Sequence, residues 1–172
     1  AAVLTDLDGT LLEHGGVLGP EARGATGELR RRGIPVVPLT SKTEAELRGL
    51  LAELALGDVG GFENGAAVLG PSGVVVSERA IGVGVLEGRL DDLSRRCGLT
   101  LSAATRMSTR ELCRITGLPA DRIPAMLARR FGLPFLAPQG AGPALEAVVR
   151  GLPGLRLTRG GLFWHLSGDH GK

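Results

Sequence analysis

The amino-acid sequence predicts an α/β protein in which a parallel sheet with helices on both faces carries an inserted unit of helices and antiparallel strands. Two observations lead to this fold class. Short apolar runs alternate with helical segments up to Gly57, and strand–helix–strand order requires a right-handed crossover between parallel strands. After Asn64 the pattern changes, because short apolar runs then flank glycine-containing turns typical of hairpins.

Two apolar runs in the first part of the chain predict neighbouring strands. Residues 3–5 lead into an acidic, glycine-containing turn, and residues 34–39 form the second run. A helix is predicted between them, over residues 20–33, because proline is favoured near a helix start and glycine at its end. The second run contains two prolines, which weakens its assignment because proline donates no hydrogen bond to a sheet.

The second predicted helix has the strongest local signals. Thr43 and Glu46 have the spacing of a capping box, in which side chains and backbone cap the helix start reciprocally. Four leucines then recur at helical spacing before Gly57, at positions 47, 50, 51 and 54. These leucines are expected to form the buried face of the helix.

The remaining pattern predicts a mixed unit inserted into the parallel core. Hairpins are predicted over residues 66–77 and 155–166. Helical segments are predicted between these hairpins, over residues 85–97, 109–116, 121–131 and 144–152. The expected domain limits are residues 1–79 for the first part of the core, 80–168 for the inserted cap and 169–172 for the return to the core.

The composition excludes several classes of protein. The chain has 172 residues, of which 43% are hydrophobic, which is enough to bury a core without stabilising disulfides or metal ions. The excess of 20 basic over 18 acidic residues is only +2, which does not indicate a nucleic-acid partner. No apolar run reaches the roughly 18 to 20 residues of a membrane span, and no signal peptide is recognisable. We therefore expect a cytoplasmic protein with no membrane partner, in which Cys97 and Cys113 are buried free thiols and not a disulfide or a zinc site.

The acidic turn after the first run is the principal candidate for chemistry. Asp6 and Asp8 have the spacing that puts two carboxylates on one side of a strand, at the end where open α/β sheets bind ligands. Gly9 permits a sharp turn and Thr10 adds a hydroxyl. One carboxylate can attack phosphorus and the other can move a proton, while a hard cation offsets the charge. The alternative is a turn that only caps the next element.

Hydroxyl groups and the two lysines of the chain supply further candidates. Thr40, Ser41 and Lys42 precede the second helix, where hydroxyls and free N–H groups suit a phosphoryl group, although such residues are also ordinary caps. Lys172 follows a glycine-containing segment at the end of the chain, where a lysine could neutralise phosphoryl charge or simply be solvated.

Together these segments resemble the haloacid dehalogenase superfamily. Residues 6–10, Asp-Leu-Asp-Gly-Thr, are similar to its first motif, Thr40 to the hydroxyl of its second and Lys172 to the lysine of its third. The resemblance implies a Rossmann-like core with an inserted cap, and a phosphomonoester hydrolase that uses Mg²⁺. It further implies that Asp6 is the nucleophile, that Asp8 is the general acid and base, and that both hold the metal. Thr40 and Lys172 would contact the phosphoryl group.

Finer matches resemble the mannosyl-3-phosphoglycerate phosphatases of that superfamily, and they lie in residues 5–12, 40–43, 63–66 and 129–135. They imply a small phosphorylated sugar-glycerate substrate, converted through an aspartyl-phosphate to mannosylglycerate, a compatible solute. The expected substrate contacts are Ser41, Lys42, Asn64, Gly65 and Arg129. A related sugar-phosphate or phosphoglycolate phosphatase, and an inactive domain that binds a phosphorylated ligand, remain alternatives.

Two departures from the family pattern stand out. Gly132-Leu133 occupies the place where relatives commonly have Ser-Glu. The fourth motif, an acidic Gly-Asp loop that completes the magnesium site, has no counterpart after Lys172, so the chain is expected to be shorter than the family's whole domain. Gly168-Asp169 precedes the lysine and is interpreted as part of the third-motif loop.

The histidines and the single tryptophan carry less specific signals than the motifs above. The histidines lack metal-ligand spacing, so His14, His165 and His170 are predicted to lie in loops or on the surface. Trp164 lies in a predicted strand and is expected to pack in the cap sheet, with a place in a sugar pocket as the alternative.

Overall fold

The computed structural model describes residues 1–13 and 18–171, which fold into two compact units. The first unit comprises Ala1–Ser77 together with Gly171, and the second comprises Glu78–His170. These limits lie two residues from the domain limits expected at residues 79 and 168. Each unit has its own sheet, and the α/β class predicted from the sequence is confirmed.

The described part of the first unit contains a five-stranded sheet in the order β1-β2-β3-β4-β5. Its strands are β1 (Val3–Asp6), β2 (Val36–Leu39), β3 (Gly60–Phe62), β4 (Ala67–Gly70) and β5 (Gly73–Val76). Strands β1 to β3 pair in parallel, and β3 to β5 continue as an antiparallel meander. Helix α1 (Pro20–Arg31) connects β1 to β2, and helix α2 (Glu44–Leu54) connects β2 to β3. The parallel order and the first hairpin are therefore as predicted.

Helix α2 begins with the capping box that its sequence indicates. The Thr43 hydroxyl accepts a hydrogen bond from the backbone N–H of Glu46 at 3.2 Å, and the Glu46 carboxylate accepts one from the Thr43 N–H at 2.9 Å. Leu47 and Leu51 are buried on one face, so the leucine spacing correctly predicts which side of the helix packs against the protein. The helix ends at Ala55, which adopts the left-handed conformation with φ of 51°.

The second unit is a four-stranded antiparallel sheet in the order β6-β7-β9-β8, packed with helices. The strands are β6 (Ser102–Ala103), β7 (Gly132–Leu136), β8 (Leu155–Arg159) and β9 (Trp164–Gly168). The helices are α3 (Val83–Cys97), α4 (Thr109–Thr116), α5 (Ile123–Leu127) and α6 (Gly142–Arg150). Leucines of α3 pack with Leu133, Phe135 and Leu166 of the sheet in one core cluster. Trp164 belongs to that cluster and is 8% exposed, which confirms that it packs in the sheet.

The helix predicted over residues 121–131 is wrong in its second half. A short 3₁₀ turn over Ala120–Arg122 leads into α5, which ends at Leu127, and β7 begins five residues later. Leu133 and Phe135 alternate into the core between β6 and β9. Pro134 lies between them, and a proline ordinarily argues against an interior strand, which hid this strand from the sequence pattern.

Two predictions from composition can be compared with the structure. Cys97 and Cys113 are free thiols, as predicted, but both are half-buried and not fully buried. Partial burial still raises the pKa of the Cys97 thiol. In the described ranges, 1–13 and 18–171, none of the helices is long and apolar enough to cross a membrane.

Gly168, near the end of the second unit, lies against backbone from the start of that unit. A Cβ atom at Gly168 would overlap the carbonyl oxygen of Arg79. We expect Gly168→Ala to lower the free energy of unfolding by about 1–3 kcal/mol, because a backbone oxygen cannot rotate away from the added methyl group. Urea unfolding followed by the fluorescence of Trp164, the single tryptophan, measures this change.

Gly161→Ala is the matched control, since a Cβ atom at Gly161 would meet no atom within 4 Å and its φ is not positive. It should change the free energy of unfolding by less than about 0.5 kcal/mol. Similar small losses in both variants would show that the backbone near Arg79 moves aside.

Candidate active site

The acidic turn after β1 is held by hydrogen bonds to one carbonyl oxygen. The Leu7 carbonyl accepts from the backbone N–H groups of Thr10, Leu11 and Leu12, at 3.3, 3.0 and 2.8 Å. The Leu7 side chain is fully buried and anchors the turn, while Gly9 adopts a φ of +77° that favours glycine. Asp6 and Asp8, on either side of Leu7, are exposed. The turn therefore presents two carboxylate side chains at the carboxyl end of β1.

The segment after β2 lies beside this turn. Leu39 is in register with Asp6, so Thr40 follows at the same edge of the parallel sheet. The Thr40 side chain is 1% exposed, and its hydroxyl oxygen accepts a hydrogen bond from the Lys42 N–H at 3.1 Å. The Lys42 ammonium lies 3.0 Å from a carboxylate oxygen of Asp8. The structure thus brings together two segments that are more than thirty residues apart in the sequence.

A third segment reaches the same place from β3. Glu63–Gly65 forms a single 3₁₀ turn, and its first two residues contact the loop after β2. The N–H of Glu63 donates to the Lys42 carbonyl at 2.9 Å, and the N–H of Asn64 donates to the Thr40 carbonyl at 3.0 Å. Glu63 is only 1% exposed. This buried carboxyl group is not among the site residues predicted from the sequence; the sequence signal for it is a glutamate placed directly before an Asn-Gly pair.

The other expected site residues are distributed differently. Ser41 is half-buried between Thr40 and Lys42, and Gly65 completes the turn after β3. Arg129 belongs to the second unit, where it is half-buried between α5 and β7. Lys172 lies outside the described residues, so its expected role remains a prediction.

The prediction of a loop or surface position is wrong for His165, which lies in strand β9. His170 does lie in a loop, the one that follows β9, but it is buried there at 6% exposure. His14 lies outside the described residues. Burial, together with the positive charge of Arg129, lowers the pKa of His165 to about 4. The imidazole of His165 is therefore neutral near pH 7, inside the second unit.

The lowered pKa of His165 predicts a loss of stability in mild acid. Its folded pKa of about 4 lies below the ordinary 6.5, so the unfolded chain takes up the proton first as the pH falls. The contribution of neutral His165 to the free energy of unfolding is complete above about pH 6.5 and is lost as the pH falls from 6.5 to 4. The free energy of unfolding should therefore be about 2 kcal/mol lower at pH 5 than at pH 7. Urea unfolding at these two pH values measures it. In His165→Asn this part of the pH dependence should disappear, and identical pH dependence in both proteins would contradict it.

The oxygen donors of the acidic turn fit a hard cation. Asp6 and Asp8 offer carboxylate and carbonyl oxygens, the ligand type that Mg²⁺ prefers, and Mg²⁺ commonly uses one or two carboxylates and keeps several waters. Within the part of the chain that the structure describes, no group of three or more His, Cys, Asp or Glu side chains is placed to hold a metal ion. The oxygen donors of Asp6 and Asp8 therefore match magnesium by their chemistry.

The parallel sheet, the paired aspartates after its first strand and the second unit that follows define a haloacid dehalogenase-like protein. Residues 3–96, more than half of the chain, match the family described as haloacid dehalogenase-like hydrolase. The chain belongs to this family.

Two characterised relatives are similar over nearly the whole chain. A glucosyl-3-phosphoglycerate/mannosyl-3-phosphoglycerate phosphatase from Persephonella marina is 30% identical over 186 residues, covering 96% of this chain and 66% of the relative. A protein of the same name from Methanococcoides burtonii is 27% identical, covering 99% of this chain and 68% of the relative. The chain thus spans about two thirds of the length of these relatives.

Solved structures share the fold at lower identity. A haloacid dehalogenase superfamily phosphatase from Bacteroides thetaiotaomicron has a TM-score of 0.69 at 20% identity, covering 98% of this chain and 66% of that one. A haloacid dehalogenase-like hydrolase from B. subtilis has a TM-score of 0.69 at 15% identity, with 97% and 73% covered. A subclass IIB sugar phosphatase has a TM-score of 0.67 at 14% identity, with 97% and 69% covered.

Proposed function

We propose that this chain supplies the catalytic site of a phosphatase that acts on mannosyl-3-phosphoglycerate, releasing inorganic phosphate and mannosylglycerate. The observation that carries the proposal is the meeting of Asp6, Asp8, Thr40 and Lys42 at one edge of the parallel sheet. Support for this substrate class comes from the two relatives, whose names include both the mannosyl and the glucosyl ester. The glucosyl ester is therefore the first alternative substrate.

The two aspartates have different roles, Asp6 as nucleophile and Asp8 as general acid and base. A carboxylate oxygen of Asp6 attacks the phosphorus, and the bond between phosphorus and the glycerate oxygen breaks to leave an aspartyl-phosphate. Asp8 gives its proton to the departing oxygen and then removes a proton from the water that hydrolyses the aspartyl-phosphate. Both side chains are exposed at the end of β1, where a substrate can reach them.

The segment after β2 stabilises the transferring group. The Thr40 oxygen accepts the Lys42 N–H, which leaves the hydroxyl proton to donate to a phosphoryl oxygen. The Lys42 ammonium, already beside Asp8, and the Ser41 hydroxyl are placed to contact substrate oxygens. Lys172 would add a second positive charge. Arg129 would contact the carboxylate of the glycerate, for which a guanidinium has matching geometry.

Magnesium, when bound, supplies positive charge that offsets the phosphoryl oxygens. The Asp6 carboxylate and the Asp8 carbonyl would hold it, by donor type. A cytoplasmic location also stays a prediction for this chain.

A phosphate-release screen tests the proposal. The purified protein is assayed with mannosyl-3-phosphoglycerate, glucosyl-3-phosphoglycerate, phosphoglycolate and a hexose phosphate, each with magnesium and with a chelator. We expect magnesium-dependent release, with the highest kcat/KM for the mannosyl ester. A preference for hexose phosphate or phosphoglycolate would favour the related phosphatases, and phosphate binding without release would favour an inactive ligand-binding domain.

A further inference from the structure

Three consecutive residues after β3 share an uncommon backbone conformation. Glu63, Asn64 and Gly65 have φ values of 46°, 60° and 86°. The first two are not glycine; most side chains are disfavoured in this left-handed region, and asparagine tolerates it better than glutamate or alanine does. Strain of this kind persists only where the surrounding structure requires it, and it concentrates at functional sites.

The turn uses its conformation to bind the loop that carries the proposed phosphate contacts. Its N–H groups at Glu63 and Asn64 donate to the carbonyl groups of Lys42 and Thr40, at 2.9 and 3.0 Å. On the other side of the loop, the Thr40 N–H donates to the Gly61 carbonyl at 2.9 Å. The loop from Thr40 to Lys42 is thus tied at three points to β3 and the turn after it, and these bonds involve backbone groups alone.

The orientation of the Lys42 side chain depends on this attachment. Lys42 has its carbonyl bonded to Glu63, its N–H bonded to the Thr40 hydroxyl and its ammonium 3.0 Å from Asp8. A backbone held at both N–H and carbonyl fixes the point and the direction from which the side chain leaves the main chain. The turn therefore acts on Asp8 through Lys42, without contacting Asp8 itself in these hydrogen bonds.

We infer that Glu63 and Asn64 are positioning residues, and that the site requires the left-handed backbone of Asn64 rather than its amide side chain. The inference rests on the proposed function for the roles of Thr40 and Lys42. It replaces the expected substrate contact of the Asn64 amide with a backbone role.

Two substitutions at Asn64 separate the backbone role from the side-chain role. Asn64→Gly removes the amide but keeps the left-handed conformation accessible, whereas Asn64→Ala removes the amide and disfavours that conformation. We expect the dissociation constant for inorganic phosphate, measured by calorimetry, to stay within about twofold in Asn64→Gly. In Asn64→Ala it should rise by about five- to thirtyfold, as should KM in turnover.

Ala55→Gly is the control for a general effect of glycine. Ala55 is also left-handed, with φ of 51°, but it ends helix α2. This variant should raise the unfolding temperature and leave the phosphate affinity unchanged. Equal losses of phosphate affinity in Asn64→Gly and Asn64→Ala would overturn the inference, because the amide would then be the required group.

Hydrogen exchange tests the positioning role without any ligand. The amides of Lys42 and Glu63 should exchange about five- to thirtyfold faster in Asn64→Ala than in Asn64→Gly, because the strained turn opens more often. Equal exchange rates in the two variants would overturn the inference. If the unmodified protein neither binds nor releases phosphate, the proposed function fails, and the exchange rates still decide whether the turn positions the loop.

Discussion

Replacing Asp6 with asparagine should abolish phosphate release and leave phosphate binding intact. The amide keeps the size and shape of the carboxylate but is a poor nucleophile, so the aspartyl-phosphate does not form. We expect kcat to fall by about a thousandfold or more, as for other enzymes that lose the group forming a covalent intermediate. Steady-state release of phosphate measures kcat, and calorimetry with inorganic phosphate measures binding. The fold should be unchanged because Asp6 is exposed.

Asp58→Asn is the control for loss of one acidic charge, since Asp58 is exposed in the same unit but lies in the segment between α2 and β3. It should retain the original kcat.

Asp8→Asn should behave differently from Asp6→Asn, because with a good leaving group the nucleophilic attack does not need a proton from Asp8. Rapid-quench experiments should then show phosphoenzyme in Asp8→Asn and none in Asp6→Asn. Turnover by Asp6→Asn above that of a mock preparation would remove Asp6 from the role of nucleophile.

The parts of the fold that the sequence predicted are those whose signals are local. The Thr43 capping box and the α2 leucines identify their helix without help from the rest of the chain. The prediction of helix α4, over Thr109–Thr116, agrees with the structure to the residue because Ser108 and Glu111 again form a capping box. Strand β7 has no such signal. It carries Pro134 in its interior, and it is a strand because it pairs with β6 and β9, which lie about thirty residues away on either side in the sequence.

In the candidate site, too, local motifs could be predicted from the sequence and contacts between distant segments could not. The Asp6–Thr10 turn is a local motif, and the sequence predicts both its position and its exposure to ligand. The ion pair between Lys42 and Asp8 joins the segments that follow β1 and β2, so its geometry depends on the register of these strands, which no local pattern shows. The buried state of Glu63 depends in the same way on the packing of a left-handed turn against the loop after β2.

Arg129 has surroundings that suit recognition of an anion. It is half-buried in the second unit, and its charge contributes to the low pKa of His165. Water screens a half-buried charge less than an exposed one, and the planar guanidinium has the geometry to pair with a carboxylate. Arg130 differs, because it is exposed and its guanidinium lies 5.0 Å above the ring of Phe131. These two adjacent residues therefore form a matched pair for mutation.

Arg129→Ala should raise the KM for mannosyl-3-phosphoglycerate far more than the KM for a small aryl phosphate, which lacks the glycerate carboxylate. Loss of a charge-assisted contact costs about 1.5–3 kcal/mol, or about ten- to two-hundredfold in affinity. Arg130→Ala should leave both KM values nearly unchanged. Equal increases for both substrates in Arg129→Ala would show that Arg129 supports the fold of the second unit rather than specificity. A selective increase in Arg130→Ala would move the contact to Arg130. Because each substrate needs the same Asp6 chemistry, the ratio of the two KM values isolates what Arg129 contributes to recognition of the glycerate.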